Sequence, residues 1–247
     1  DEATLNALTA VNVDGKTDAE KLAVIKKYAD LTKASVETIT KQGSYGAAAG
    51  YYLIKDKDNS VSGNDVYTTY IVEVVGNVTI KSKSNVPSFE KKIKDTNDTT
   101  GVTSDWQDSA DYDIGDQVPF KLEGTVADNY ADYKTYYFAF HDVEESGLTF
   151  KSDSVKVYVD GSEIKSGYEV VTATTDGCTF EVVFNNLKEI TAVKAGSKVT
   201  VEYTSELNAN AVLGKEGNVN KAQLEFSNNP NKEQTGKPDT GKTPWDN

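Results

Sequence analysis

The chain has 247 residues, a formal net charge of −13 and one cysteine. All 26 basic residues are lysines, which excludes the two-point contacts that arginine makes to phosphate or carboxylate. The charge argues against nucleic acid and anionic membrane as partners, and no apolar run approaches the roughly 20 residues of a membrane span. Cys178 cannot form an intrachain disulfide, and its apolar surroundings predict a buried, inert thiol.

Residues 17–41 are the one clear helical stretch of the sequence. Thr17 and Glu20 have the spacing of a capping box, and apolar residues recur after them at helical intervals. From Tyr51 onward the pattern changes to short β-segments. These features predict that residues 1–82 form a smaller α+β domain, or part of one, ahead of the rest of the chain.

From residue 86 to residue 230 the sequence consists of strands and turns without alternating helices. Residues 155–159 alternate between valine and other side chains up to Asp160 and Gly161, a dipeptide typical of hairpin turns. This regular succession of strands predicts an antiparallel β-sandwich over residues 86–230. Residues 231–247 are rich in lysine, proline, glycine and aspartate, which is typical of a linker to a following domain.

Three of the predicted strands carry a polar side chain where an apolar face should continue. Lys91 alternates with Phe89 and Ile93, and by the same alternation Asp142 and Asn228 each fall on the face of two apolar residues. A buried ammonium is costly unless its charge is paired or removed. One interpretation places all three residues at strand ends, where the lysine reaches solvent and the other two form turns.

The other interpretation is covalent. Burial disfavours the charged forms of both groups, so Lys91 becomes a neutral nucleophile while Asp142 stays protonated. The acid can then polarise the side-chain carbonyl of Asn228, and attack by the lysine expels ammonia and leaves an amide bond. This reaction runs once within the chain. Apart from it we predict no enzymatic activity and no cofactor, and the sequence identifies no metal-binding residues.

Several blocks of the sequence together form a recognisable pattern. They are residues 86–92 (VPSFEKK), 112–116 (YDIGD), 141–142 (HD) with 147–150 (GLTF), and 201–204 (VEYT) through 217–220 (GNVN) to 226–230 (FSNNP). These blocks resemble the isopeptide-forming domain of major pilins, the shaft subunits of sortase-assembled pili on Gram-positive bacteria. The resemblance implies an immunoglobulin-like β-sandwich of the collagen-adhesin A type, with Lys91 and Asn228 bonded and Asp142 as the catalytic acid. Lys92 and Asn229 remain alternatives in a neighbouring register.

The resemblance also implies a bond between subunits. In that family, sortase joins a lysine just before the second domain to the next subunit, and Lys83 or Lys81 occupies this place. The implied partners are therefore neighbouring pilin subunits and sortase. The implied location is extracellular, as part of a fimbria anchored to the cell wall.

The predicted function is thus a structural subunit of a covalently assembled surface pilus. The alternative is a wall-anchored adhesin that does not polymerise and uses the same type of domain to bind host-surface or glycan ligands. An extracellular hydrolase is disfavoured, because His141 is the only histidine and no motif for a serine or cysteine nucleophile is present.

Overall fold

The computed structural model describes residues 20, 37–57, 59–80, 86–96, 100–214, 216–230 and 238–247. These residues contain twelve strands and two single-turn 3₁₀ helices, at Tyr130–Asp132 and Leu187–Glu189. None of the helices found there has the length and apolar character needed to cross a bilayer. The strands are β1 (Gly50–Lys55), β2 (Thr69–Val74), β3 (Phe89–Ile93), β4 (Gln117–Thr125), β5 (Phe138–Glu144), β6 (Leu148–Val159), β7 (Ser162–Ile164), β8 (Glu169–Val171), β9 (Phe180–Phe184), β10 (Lys198–Leu207), β11 (Asn220–Ser227) and β12 (Thr240–Lys242).

Ten of these strands form two five-stranded antiparallel sheets. The first sheet has the order β3-β4-β10-β6-β7 and the second the order β12-β11-β5-β9-β8, while β1 and β2 form a separate antiparallel hairpin. One hydrophobic core is built from the facing sides of both sheets. The predicted antiparallel β-sandwich is confirmed.

Alternation of side chains explains how the sheets close on each other. Strands β4 and β10 bury every second residue, as expected for sheets with one face on the core. Aromatic rings fill the space between the layers: Phe150 of β6 stacks on Phe180 of β9 with ring centroids 3.7 Å apart. Gly124 on β4 has no room for a side chain, because an added Cβ would lie 2.9 Å from the ring of Phe138.

The predicted helix over residues 17–41 lies mostly outside the described residues. Glu20 is helical, but residues 37–41 are not, so the prediction is wrong for the last part of this range. The physical reason is local: Thr38, Ile39 and Thr40 are β-branched residues with weak helix propensity.

The predicted linker over residues 231–247 is wrong for residues 238–247. Strand β12 pairs with β11, and further along, the backbone amide and carbonyl of Ala222 bond reciprocally with those of Asp246. Without this pairing, β11 would be the edge of the second sheet and would expose unpaired backbone groups. A composition typical of linkers therefore did not prevent strand formation, because the neighbouring edge supplied partners.

The hairpin region contacts one end of the sandwich. The backbone amide of Tyr67 donates to the carbonyl of Asn228 at 2.8 Å, and Val66 packs into the sandwich core. The predicted boundary between residues 82 and 86 falls on residues 81–85, which lie outside the described residues. The division of the chain into domains remains a prediction.

Candidate functional site

Lys91 lies in the middle of β3 with its side chain directed into the core. The residue is 4% exposed, and its Nζ is 4.9 Å from the centroid of the Phe120 ring. Alternation along β3 dictates this orientation, because β3 pairs with β4 in a register that places Lys91 opposite the fully buried Leu122. The interpretation in which this lysine reaches solvent is therefore wrong.

Two polar groups meet the amine inside the core. Nζ of Lys91 is 2.6 Å from Oδ2 of Asp142 and 2.8 Å from the hydroxyl of Tyr203. The Tyr203 hydroxyl is in turn 2.7 Å from the same Asp142 oxygen. Asp142 comes from β5 in the second sheet and Tyr203 from β10 in the first, so the three groups bridge the two layers.

Asn220, the first residue of β11, completes the cluster. Its side-chain nitrogen donates to the Tyr203 hydroxyl at 2.9 Å, and it lies opposite Glu144 in the pairing of β11 with β5. Among the described residues, Oδ1 of Asn220 and Oδ1 of Asp142 are both buried without a hydrogen-bond partner. Such orphaned buried oxygens are rare in folded proteins and require an explanation.

The surroundings drive the ionisable groups of this cluster toward their neutral forms. Burial lowers the pKa of Lys91 below its ordinary value, against the opposing effect of Asp142. Burial also raises the pKa of Asp142, although Lys91 and Tyr203 act in the opposite direction. Glu144 lies beside them, and burial raises its pKa to about 7. Both shifts run toward the neutral amine and the protonated carboxylic acid that the covalent interpretation requires.

The structure contradicts the assignment of Asn228 as the partner of Lys91. Asp142 pairs with Ala222 of β11, and Asn228 lies six residues further on, about 20 Å away at about 3.3 Å per residue. There the Asn228 amide donates to the backbone carbonyl of Asp65 at 3.2 Å. Asn220, on the same face of β11, takes the place that the sequence interpretation gave to Asn228.

The structure also describes two of the remaining predicted residues, Lys92 and Asn229. Lys92 points away from the core and pairs with the exposed Asp108 at 2.6 Å, so it does not replace Lys91. Asn229 follows Asn228 in the chain and donates its side-chain amide to Asp239 at 2.9 Å. Lys81 and Lys83 lie outside the described residues.

Cys178 is buried, as predicted. Burial and the nearby Asp176 raise the pKa of its thiol to about 12, so the free thiol is not a nucleophile.

The chain is similar to a streptococcal surface protein and to solved structures of pilins. No protein-family model matches the chain. The chain is 28% identical over 173 residues to the trypsin-resistant surface T6 protein of Streptococcus pyogenes serotype M6. This alignment covers 65% of the chain and 30% of the T6 protein. The chain thus spans less than a third of the curated relative it matches.

Two solved structures superpose on the chain well enough to compare folds. The T6 backbone pilin of Streptococcus pyogenes serotype M6, which has a modular three-domain structure, matches with a TM-score of 0.58 and 20% identity over 95% of the chain and 54% of that structure. The fold is that of a Gram-positive major pilin. The full-length major pilin SpaD of Corynebacterium diphtheriae also matches, with a TM-score of 0.50 and 20% identity over 81% of the chain and 46% of SpaD. The resemblance to major pilins is confirmed, and the site described above lies in the sandwich of this pilin fold.

Proposed function

We propose that this chain is a structural subunit of a covalently assembled surface pilus, and that its sandwich is locked by a self-formed isopeptide bond between Lys91 and Asn220. The observation that carries the proposal is the buried cluster in which Lys91 contacts Asp142 and shares the Tyr203 hydroxyl with Asn220. The major-pilin fold and the similarity to a streptococcal surface protein support the role in a pilus.

The bond-forming step needs only groups already present in the cluster. The lone pair of the neutral Lys91 amine attacks Cγ of Asn220, the new Nζ–Cγ bond forms, and the Cγ–Nδ2 bond breaks. One amine proton passes through Asp142 to the departing nitrogen, which leaves as ammonia. Atoms and charge balance without a cofactor, and burial is what makes the amine nucleophilic.

The two oxygens of Asp142 suit two separate tasks. Oδ2 contacts the lysine amine at 2.6 Å and is placed to accept its proton. Oδ1 of Asp142 is buried and has no partner among the described residues. A proton on this oxygen would polarise Oδ1 of Asn220, which also lacks a partner there. This assignment accounts for both unpartnered oxygens at once.

The position of the bond in the fold suits a load-bearing subunit. Lys91 lies on β3, the first strand of the sandwich, and Asn220 begins β11, which belongs to the opposite sheet. A bond between them would cross the core and enclose β4 to β10. Tension entering along β3 would then pass directly to β11 and largely bypass the strands between them.

Intact-mass measurement of the purified, folded protein tests the bond. The wild-type chain is expected to be lighter than its sequence mass by one ammonia, about 17 Da. Lys91→Ala and Asn220→Ala should each have the full mass of their sequences, whereas Asn228→Ala should still show the loss. A wild-type chain at full sequence mass would refute the internal bond. Loss of ammonia that disappears in Asn228→Ala but persists in Asn220→Ala would refute the choice of asparagine.

Polymerisation through a lysine ahead of the sandwich is a separate part of the proposal. Cell-wall extracts of the bacterium that makes the protein should contain a ladder of covalent polymers, formed by sortase. We expect Lys83→Ala to abolish this ladder and Lys81→Ala to leave it intact, on immunoblots under denaturing conditions. A wild-type protein that migrates only as a monomer would contradict the pilus role and favour an adhesin that does not polymerise.

A further inference from the structure

A second group of ionisable side chains lies on the outer face of the second sheet. His141 precedes Asp142 on β5, and because neighbouring residues of a strand point to opposite faces, His141 points away from the Lys91 site. The potential metal-ligand atoms of four residues there all lie within 4.8 Å of one another. This outer-face cluster consists of His141, Asp176, Cys178 and Glu181.

The distances within the outer-face cluster match a tetrahedral metal site. Nδ1 of His141 is 3.2 Å from a carboxylate oxygen of Asp176, 3.2 Å from one of Glu181 and 3.8 Å from Sγ of Cys178. For metal–ligand bonds of about 2.0–2.3 Å, neighbouring ligand atoms of a tetrahedron are separated by about 3.3–3.8 Å. Three donor atoms therefore already lie at close to these separations from Nδ1 of His141.

The other ring nitrogen of His141 is held by a buried carboxylate. Nε2 is 2.9 Å from Oε2 of Glu225, whose side chain is 3% exposed. A carboxylate that accepts from Nε2 fixes the tautomer that leaves the lone pair on Nδ1, the atom facing the cluster. Metal-binding histidines are commonly oriented by such a partner.

We propose that the outer-face cluster binds one divalent transition-metal ion of the zinc class. The sequence alone identified no metal site, because His141 is brought to Asp176, Cys178 and Glu181 only by the pairing of β5 with β9. The thiol proton is released to solvent when the ion binds, and Cys178 enters as a thiolate.

The ligand set selects the type of ion. A thiolate and an imidazole favour zinc, cobalt and other borderline ions, whereas calcium and magnesium prefer sites made only of oxygen ligands. The site opens onto a cleft of about 250 Å³ that Tyr137, Thr175 and Lys242 also line. Asp176, with 37% of its side chain exposed, lies nearest to solvent and gives an ion a route inward.

The bound ion would crosslink two strands and a turn. It would join β5 to β9 and to the turn that carries Asp176 and Cys178, on the face opposite the proposed isopeptide bond. The two sites are independent, because the pleat directs His141 and Asp142 to opposite sides of the sheet.

The test uses the whole chain, freed of metal by a chelator and then titrated with Zn²⁺ and with Co²⁺. We expect one zinc per chain by calorimetry and, with cobalt, a tetrahedral visible spectrum with a thiolate-to-metal charge-transfer band. Cys178→Ser should abolish that band, and Asp176→Asn, which alters a partly exposed ligand, should weaken zinc binding at least about tenfold. Glu225→Gln should weaken it about 10–100-fold through the histidine, and excess Ca²⁺ should not displace zinc.

Matched controls separate this site from the rest of the molecule. Asp153→Asn changes an exposed acid on β6, and Lys91→Ala removes the other site; both should bind zinc as tightly as the wild type. The alternative is a positively charged His141 held by carboxylates, which predicts no stoichiometric zinc binding. Absence of saturable binding, or equal affinity in Cys178→Ser, Asp176→Asn and the wild type, would overturn the proposal.

Discussion

Replacing Asn220 with alanine is expected to lower the midpoint of thermal unfolding by roughly 10–20 °C. The proposed bond closes a loop of about 130 residues, and the chain-entropy model assigns to such a crosslink roughly 5 kcal/mol of the free energy of unfolding. For a chain of this size each kcal/mol corresponds to about 2–4 °C. Calorimetry of the variant and wild type measures the difference, and trypsin digestion should show faster cleavage of the variant.

Asn228→Ala is the matched control for this measurement. Both asparagines are buried on the same face of the chain, and each has an unpartnered Oδ1 among the described residues. Asn228 loses only its hydrogen bond to Asp65 when truncated, which costs about 1–3 kcal/mol. If both variants lowered the midpoint equally, the effect of Asn220 would come from ordinary packing and the crosslink would not explain it.

Asp142→Ala is expected to produce a folded chain that retains its ammonia. The variant lacks the carboxyl group proposed to accept the amine proton and polarise the amide, and a general acid–base of this kind contributes about 10²–10⁴-fold to rate. Burial still lowers the pKa of Lys91 in this variant, so the variant separates the role of the acid from that of the dry core. The measurement is intact mass followed over days of storage, alongside circular dichroism to verify folding.

Two further variants sharpen that experiment. Asp142→Asn keeps the shape of the side chain but provides no carboxyl group, and it should remain uncrosslinked even if the alanine variant folds poorly. Glu144→Gln changes the neighbouring acid, whose oxygen bonds to Ser205, and it should crosslink as the wild type does. Rapid loss of ammonia in Asp142→Asn would assign the catalytic role to a different group.

Alternation along single strands was enough to predict half of the site. Lys91 and Asp142 stand out because each interrupts an apolar face, and both are buried where the sequence placed them. The same rule could not choose among asparagines, since Asn220 and Asn228 lie on one face of the same stretch. The choice depends on the register between β11 and β5, which pairs distant parts of the chain. A single sequence does not contain that register in its local pattern.

Tyr203 and the outer-face cluster were missed for related reasons. Tyr203 continues the buried alternation of β10 and looks like an ordinary core residue until its hydroxyl meets Lys91 and Asp142. In the outer-face cluster, Asp176, Cys178 and Glu181 are close in sequence, but His141 joins them only through the pairing of β5 with β9. The two-sheet architecture, by contrast, follows from the repeated strands and turns and was predicted correctly.

The return of the chain along β11 separates two places where neighbouring segments meet the sandwich. Strand β11 ends at Ser227, and the carbonyl of the next residue, Asn228, accepts a hydrogen bond from Tyr67 in the hairpin region that comes earlier in the chain. Strand β12 and the residues after it run back past β11 until Asp246 lies opposite Ala222. Residues 67 and 246 therefore lie toward opposite ends of the sandwich, so a pull applied at these two positions would act along the length of β11.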